Sequence, residues 1–201
     1  RLAISDLDPA EHKYIKQYFK NVVAPVLSPQ IVDAHHPFPH LEGKVLHIAA
    51  LLGHKKSERL GLLPVPASLP ALVFLPGDGA RYVPIEDILL EYTGNVFEMY
   101  DVLEKTVFCV TRNADINPDD ETFGAEEGDF RKKMEKLLRM RRRMAVVRVE
   151  LNRPISDHFR EYFRSRFDVA DAQIFLSRKA PLQMGYVFSL GSHLPEKQRA
   201  A

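Results

Sequence analysis

The sequence predicts an α+β fold: a mixed, largely antiparallel sheet with helices packed against it, in a single domain. The first half reads as one amphipathic helix followed mostly by short strands, and the second half reads β-α-β-α-β. Strands in runs with separate helices are typical of α+β folds rather than of doubly wound sheets. With 201 residues, 45% of them hydrophobic and 27% charged, the chain is long enough to bury a core of its own.

The first element predicted is a helix within residues 1–22. Asp8 can cap it, Pro9 suits its first turn, and Glu11 stands where a capping box closes. The apolar residues that share one face of this helix are Ile15, Tyr18, Phe19 and Val22. We expect the helix to run to about Asn21.

A proline-rich segment, Val23–His40, follows and is called the connector below. It holds four of the fourteen prolines and three of the eight histidines. Each proline removes a backbone donor and fixes φ, so the pattern predicts an extended connector rather than a helix or strand. His35 and His36 are adjacent and would point to opposite sides, which favours structural imidazoles over a metal site.

The middle of the chain predicts several strands and one short helix. Lys44–Leu52 is apolar on both faces, as in a strand covered on both sides. The remaining runs are a hairpin or meander over 59–66 and 71–75, a turn at 76–79, a strand at 81–83, a helix opening at Pro84 and ending near Gly94, and a strand over Leu103–Arg112.

The charge changes sharply after this strand. Residues 113–130 contain seven acids and no Lys or Arg, whereas residues 131–143 contain eight bases and one acid. This predicts an acidic loop at 115–129 and a helix from about Glu126 whose charges complement its macrodipole. The basic side chains that could bind a polyanion are Lys132, Lys136, Arg139, Arg141, Arg142 and Arg143. Charge balance favours a solvated helix face instead, although Arg141 would fall within the apolar stripe.

The last third predicts a strand at 145–151, an amphipathic helix over Ser156–Phe167, a strand over Gln173–Ser177 and a helical turn or two within 181–190. The side chains expected to face inward from the amphipathic helix are Phe159, Tyr162, Phe163 and Phe167.

Composition argues against several classes of function. A net charge of +1 does not indicate a nucleic-acid partner, and no apolar run is long enough to span a bilayer. Cys109, the single cysteine, lies in mid-strand without a local base and reads as a core residue. Arg112 and Asp115 are a candidate ion pair. We predict no catalytic residue and no metal site.

Several motifs, in order along the chain, resemble the middle (head) domain of the bacterial polyphosphate kinase family. The segments that carry the resemblance are Tyr18-Phe19, Pro25-Val26-Leu27-Ser28-Pro29, Asp33, His36-Pro37-Phe38-Pro39, Tyr82–Asp87, Phe108–Ile116 and Val147–Glu150. The resemblance covers nearly all of residues 1–201. Ser28, Cys109 and Asn113 depart from the family pattern, so charge roles at 109 and 113 do not carry over.

The resemblance implies a parent enzyme that reversibly transfers the terminal phosphate of ATP to polyphosphate through a phosphohistidine, using Mg²⁺. Its phosphohistidine and most of its ATP-phosphate and Mg²⁺ ligands would lie in domains that follow residue 201, and an N-terminal helical domain that contributes to the adenine site would precede Arg1. The chain is then expected to be an excised piece with no cofactor of its own and a structural, channel-lining or subunit-contact role.

The same resemblance predicts a cytoplasmic homo-oligomeric parent, with membrane association left open, polyphosphate as a candidate ligand and no nucleic-acid partner. The family-signature residues are expected to be structural: Pro25, Pro29, Asp33, His36, Pro37, Phe38, Pro39, Arg112 and Asp115. The alternative is a polyanion-binding module that uses the basic residues of 131–143.

Overall fold

The computed structural model describes residues 1–32, 38–54, 57–77, 80–112, 145–177 and 180–190. The strands are β1 (Gln30–Val32), β2 (His47–His54), β3 (Ser57–Pro64), β4 (Leu72–Phe74), β5 (Tyr82–Pro84), β6 (Asp101–Arg112), β7 (Val146–Leu151) and β8 (Ile174–Leu176). The helices are α1 (Pro9–Tyr18), α2 (Ile85–Glu91), α3 (Thr93–Val96), α4 (Asp157–Phe167) and α5 (Val187–Leu190).

Six of these strands form one sheet in the order β1-β3-β2-β6-β7-β8, and β4 pairs with β5 in a small second sheet. All neighbours in the large sheet are antiparallel except β7 and β8, which are parallel. Parallel neighbours need a crossover connection, and α4 lies within it. The predicted α+β fold with a mixed, largely antiparallel sheet is confirmed.

The capping box at the start of α1 forms as predicted. The Asp8 carboxylate accepts hydrogen bonds from the Ala10 and Glu11 amides, each at 2.8 Å, and Glu11 accepts from the Asp8 amide at 3.0 Å. These bonds satisfy amides that the first turn of a helix leaves without partners.

The end of this helix differs from the prediction. After Tyr18 the chain makes a π-helical turn, Phe19–Val23, and a 3-10 turn, Ala24–Val26. Val23 is buried and Val22 is exposed, so placing Val22 on the inner face was wrong. A π turn uses more residues per revolution than an α turn, which moves the inward position one residue further along.

The connector is also more regular than predicted. Residues 30–32 form β1, an edge strand that pairs with β3 from Gln30↔Leu62 to Val32↔Leu60. These three residues contain no proline, so their amides remain available to the ladder, and Pro29 lies just outside the strand. The expectation of an extended segment without strand or helix was therefore wrong for residues 24–26 and 30–32.

Both faces of the sheet are covered. The sequence predicted this for Lys44–Leu52, the stretch that contains most of β2. Ile48 faces a core formed with α1, α2 and the β4–β5 sheet, whereas Ala49 and Leu51 face a second core formed with α4. The alternation follows from the two-residue period of a strand. The sheet is thus the middle of three layers.

The other predicted elements appear with shifted bounds or partners. The predicted hairpin or meander over 59–66 and 71–75 is wrong, because these runs do not pair with each other: β3 pairs with β2 and β1, and β4 pairs with β5. The helix that opens after Pro84 breaks at Tyr92 and resumes as α3, so it passes Gly94. The Thr93 hydroxyl donates to the carbonyls of Leu89 and Leu90, at 3.0 and 2.9 Å, at this break.

Helix α4 follows its predicted pattern. Ser156 caps it by accepting from the Phe159 amide at 3.1 Å, and Asp168 ends it in a left-handed conformation with φ of 53°. Phe159, Phe163 and Phe167 are buried, and Tyr162 is half-buried at the margin of the core.

Candidate functional site

Some of the residues that carry the family signature meet where the connector ends, beside the last residues of β6. The Phe38 ring packs edge-on against the Phe167 ring, with centroids 5.1 Å apart and planes at 87°. Pro39 follows in a half-buried position and Leu41 is buried in the core under α4. Edge-to-face aromatic pairs add stabilisation beyond their buried area, so this end of the connector is fixed to α4.

Arg112, the last residue of β6, holds the same segment from the other side. Its guanidinium Nε donates to the Leu41 carbonyl at 2.7 Å. Two residues earlier on β6, the Val110 carbonyl accepts from the Lys44 amide at 2.7 Å, and Lys44 itself has a φ of 62°. A charged donor bonded to a main-chain carbonyl is among the stronger kinds of hydrogen bond. Arg112 therefore joins β6 to Leu41, the residue that directly follows the connector.

The structure brings together only some of the predicted signature residues. Phe38, Pro39 and Arg112 belong to the contact just described. Pro25 lies in the exposed 3-10 turn and Pro29 immediately before β1. The signature and candidate polyanion-binding residues that lie outside the described ranges are Asp33, His36, Pro37, Asp115, Lys132, Lys136, Arg139, Arg141, Arg142 and Arg143. The acidic loop at 115–129 and the basic helix are outside them too.

Cys109 is a core residue, in agreement with the sequence interpretation. It is buried on β6, and its thiol donates to a Glu150 Oε2 atom 3.8 Å away on β7. Burial, together with the negative charge of Glu150, raises the pKa of the thiol to about 12. Since the thiolate is the reactive species, Cys109 is not a nucleophile at neutral pH.

The native chain should accordingly react with a thiol reagent such as DTNB at pH 8 at least about 100-fold more slowly than the unfolded chain. The unfolded chain in guanidinium serves as the control and should release one equivalent, because the sequence contains one cysteine. Equal rates for the two states would contradict the buried placement of this thiol.

His47 is a buried histidine that the sequence interpretation did not consider. Its Nδ1–H donates to the Val45 carbonyl at 2.9 Å, and its ring lies 5.5 Å from the Phe108 ring. Burial lowers the pKa of this imidazole below its usual value, because the charged form is poorly solvated there. Its place in a stretch that is apolar on both faces could have put His47 inside, but nothing in the sequence indicated its partner.

The lowered pKa of His47 predicts an acid-side loss of stability. The unfolded imidazole binds a proton below about pH 6.5, while the folded one resists it, so protonation favours the unfolded state as the pH falls. We expect His47→Gln to lose less unfolding free energy than the unsubstituted chain between pH 7.5 and pH 5.5. Urea unfolding at both pH values measures this, and equal losses in the two proteins would contradict it.

A small polar cavity lies where the parallel strands β7 and β8 end. Its volume is about 140 Å³, and burial raises the pKa of the Glu86 carboxyl that lines it. The other polar side chains in its wall are Arg1, Asp87, Asn152 and Ser177. Arg1 pairs with Asp87 at 2.9 Å, and the Asn152 side-chain oxygen accepts from the Val107 amide at 3.0 Å. The sequence interpretation did not single out this cavity, since its walls come from six separate stretches of chain.

A second, more open cavity of about 440 Å³ lies beside the edge strand β1. It is lined mainly by apolar residues, among them Pro29, Ile31, Phe97 and Met99, and Glu98 is its charged residue. Drug-sized ligands occupy pockets of roughly 300–1,000 Å³. The larger cavity thus has the volume for a nucleotide but lacks cations for phosphates, and the polar one is too small.

The described part of the chain contains no group of three or more His, Cys, Asp or Glu side chains that could hold a metal ion. Across those same ranges, no helix has both the length and the apolar character needed to cross a membrane.

Comparisons with known proteins point to one family. The pattern described as "Polyphosphate kinase middle domain" matches residues 10–190. The chain is 33% identical over 199 residues to the polyphosphate kinase of Bacillus anthracis, covering 94% of this chain and 28% of that protein. For the polyphosphate kinase of Lactiplantibacillus plantarum the identity is 29% over 192 residues, covering 94% and 26%. The chain thus spans about a quarter of the length of these relatives.

The fold is also found in a solved structure. The crystal structure of polyphosphate kinase from Porphyromonas gingivalis superposes with a TM-score of 0.65 at 21% identity, covering 87% of this chain and 24% of that one. At this identity the likeness shows the fold.

Proposed function

Because the chain belongs to the polyphosphate kinase family as a middle domain, we propose that it is a non-catalytic domain of a longer phosphotransferase. The longer enzyme would reversibly transfer the terminal phosphate of ATP to polyphosphate through a phosphohistidine, with Mg²⁺. This domain would supply scaffold, channel wall or subunit contact. The enzyme's ATP, Mg²⁺ and phosphohistidine sites would belong to the other domains of the polypeptide.

The observation that carries this proposal is how the signature residues are used. Phe38 packs on Phe167 within the domain, and the Arg112 Nε donates to a main-chain carbonyl of the same domain. These side chains hold the connector against β6 and α4. They support a structural role, since a catalytic or binding residue would present its polar group to a substrate.

The chemistry of the described side chains supports the same proposal. Phosphoryl transfer depends on cationic groups and metal ions placed around the transferring phosphate. The thiol of Cys109 is protonated, and neither cavity combines the volume for a nucleotide with a set of cations. We further propose a cytoplasmic homo-oligomeric parent, with membrane association left open.

Activity measurements test the proposal directly. The purified 201-residue chain, given ATP and Mg²⁺, should form no polyphosphate above a no-protein control. The full-length polypeptide that carries the chain should form it under the same conditions. Turnover by the isolated chain would show that catalytic groups lie within it and would end the proposal.

The structural role of Arg112 has its own test. We expect Arg112→Ala to lower the free energy of unfolding of the chain by about 1–3 kcal/mol, because the buried Leu41 carbonyl loses a charged donor. The matched control is Arg166→Ala, an exposed arginine on α4, which should change stability by less than about 0.5 kcal/mol. Equal effects in urea unfolding would contradict a structural role for the signature arginine.

The alternative function, a polyanion-binding module, stays a prediction from the sequence because residues 131–143 lie outside the described ranges. Its test is a titration of the chain with polyphosphate at several salt concentrations, repeated with Arg139 and Arg141–Arg143 changed to glutamate. Salt-dependent binding that is lost in the variant would favour this function.

A further inference from the structure

The segment 180–190 is fixed to the domain although it follows the last strand. Just before it, the Ser177 amide donates to the Leu151 carbonyl at 2.8 Å. Leu182 packs against the core under α1 and α2, and the Gln183 side-chain amide donates to the Lys44 carbonyl. The segment therefore lies across the same face of the sheet as α1 and α2.

The first residues of the chain lie beside this segment. The Leu2 amide donates to the Tyr82 carbonyl at 2.9 Å, and the Tyr186 ring lies 6.5 Å from the Tyr82 ring. The side chain of Arg1 pairs with Asp87 on α2. Both the beginning and the end of the described chain are thus anchored around β5 and the start of α2.

Three apolar side chains of this anchored segment are exposed. Phe188 is 91% exposed, Met184 54% and Val187 44%. Single exposed apolar residues are ordinary on protein surfaces, but several together on a fixed segment mark an interaction site. Phe188 in particular is almost fully exposed, and aromatic residues are enriched at the centres of protein interfaces.

We propose that Met184, Val187 and Phe188 form a docking surface for the domain that follows the middle domain in the same polypeptide. The occupant is argued from the comparisons: the family match stops at residue 190, the end of α5, and the relatives are about four times as long as this chain. The surface therefore lies where the middle domain meets the remainder of those enzymes. The inference rests on the proposed function, since it requires a longer polypeptide.

Charged residues lie beside another part of the same segment, on its anchored side. The carboxyl groups of Glu86 and Asp87, with Arg1, line the cavity beside Pro181 and Leu182 in the same segment. A partner surface that fits would present apolar side chains to Phe188. Hot spots at interfaces are typically such aromatic residues seated in a pocket of the partner.

Cysteine labelling tests the proposal without relying on enzyme activity. Phe188→Cys would be made in the 201-residue chain and in the full-length polypeptide, and its reaction with a maleimide would be followed by peptide mass spectrometry. Ser165→Cys, at an exposed position on α4 in the opposite layer, is the matched control. The native Cys109 is buried and adds little signal.

We expect labelling at position 188 to be at least about tenfold slower in the full-length polypeptide than in the isolated chain, with equal rates at position 165. Equal rates at 188 would overturn the proposal, and so would slowing at both positions. Protection at 188 that grows with the concentration of the isolated chain would assign the surface to a second copy instead. Turnover by the isolated chain would end the proposed function but would leave these labelling rates unchanged.

Discussion

Replacing Phe108 with alanine is expected to lower the free energy of unfolding by about 3–5 kcal/mol. Phe108 lies on β6, the strand between β2 and β7, and its side chain is fully buried. Its ring packs edge-on against Phe163 at 5.1 Å and lies 5.9 Å from Phe167. Removing it leaves a cavity between the sheet and α4 that the close-packed surroundings cannot fill.

Urea unfolding of Phe108→Ala measures this effect, with Phe175→Ala as the control. Phe175 lies on the edge strand β8, is 42% exposed, and contacts the Arg148 guanidinium at 4.2 Å from its ring centroid. We expect its removal to cost about 1 kcal/mol or less. Similar losses for the two variants would contradict the central position of Phe108.

Replacing Glu11 with alanine should cost about 2–4 kcal/mol, because one buried carboxylate makes two kinds of contact. One oxygen accepts from the Asp8 amide at 3.0 Å and so closes the capping box of α1. Both oxygens also bond Arg81, at 2.7 and 3.2 Å, and so tie α1 to the start of β5. The alanine variant loses the cap and leaves Arg81 without this partner.

A double-mutant cycle with Arg81→Ala separates the two contributions. The loss that remains in the Arg81→Ala background belongs to the cap, and the coupling between the two sites belongs to the ion pair. The exposed Glu161–Arg164 pair on α4 is the control, and its removal should cost less than about 0.5 kcal/mol. A cost below 1 kcal/mol for Glu11→Ala would contradict the double role.

The capping box shows which features the sequence predicted well. Asp8 and Glu11 are three residues apart, so their bonds are local and depend on residue type and spacing alone. The ion pair of Glu11 with Arg81 spans seventy residues, and nothing in either stretch indicates the other. Sequence patterns specify contacts within a turn, whereas the chain path decides contacts between distant elements.

The inner face of α1 shows the same division. Their four-residue spacing correctly placed Ile15 and Phe19 inside. Val23 also faces inward, but this depends on a π turn that no residue pattern predicted. The sequence likewise did not indicate that β7 and β8 pair in parallel. The sequence indicated two strands and a helix between them, and many sheet orders are compatible with that succession.

The candidate site could be predicted only in part for a related reason. The signature motif identified Phe38, Pro39 and Arg112 as belonging to one family pattern, and the structure adds that Phe38–Leu41 and Arg112 meet. The polar cavity and the exposed surface at Met184, Val187 and Phe188 depend on how the segment 180–190 crosses the sheet. The sequence of this segment is short and partly apolar, as in many loops, so it did not indicate either feature.

The pairing of β6 with β7 has a consequence for how this domain accommodates change. Arg112 and Val146 are register partners in neighbouring antiparallel strands, so the sheet itself holds these two residues side by side. Loop-closure entropy grows slowly with length, by about 0.6 kcal/mol for each doubling. The number of residues between these two positions can therefore vary widely at little cost to the stability of the sheet. Their charge can also change without changing the fold.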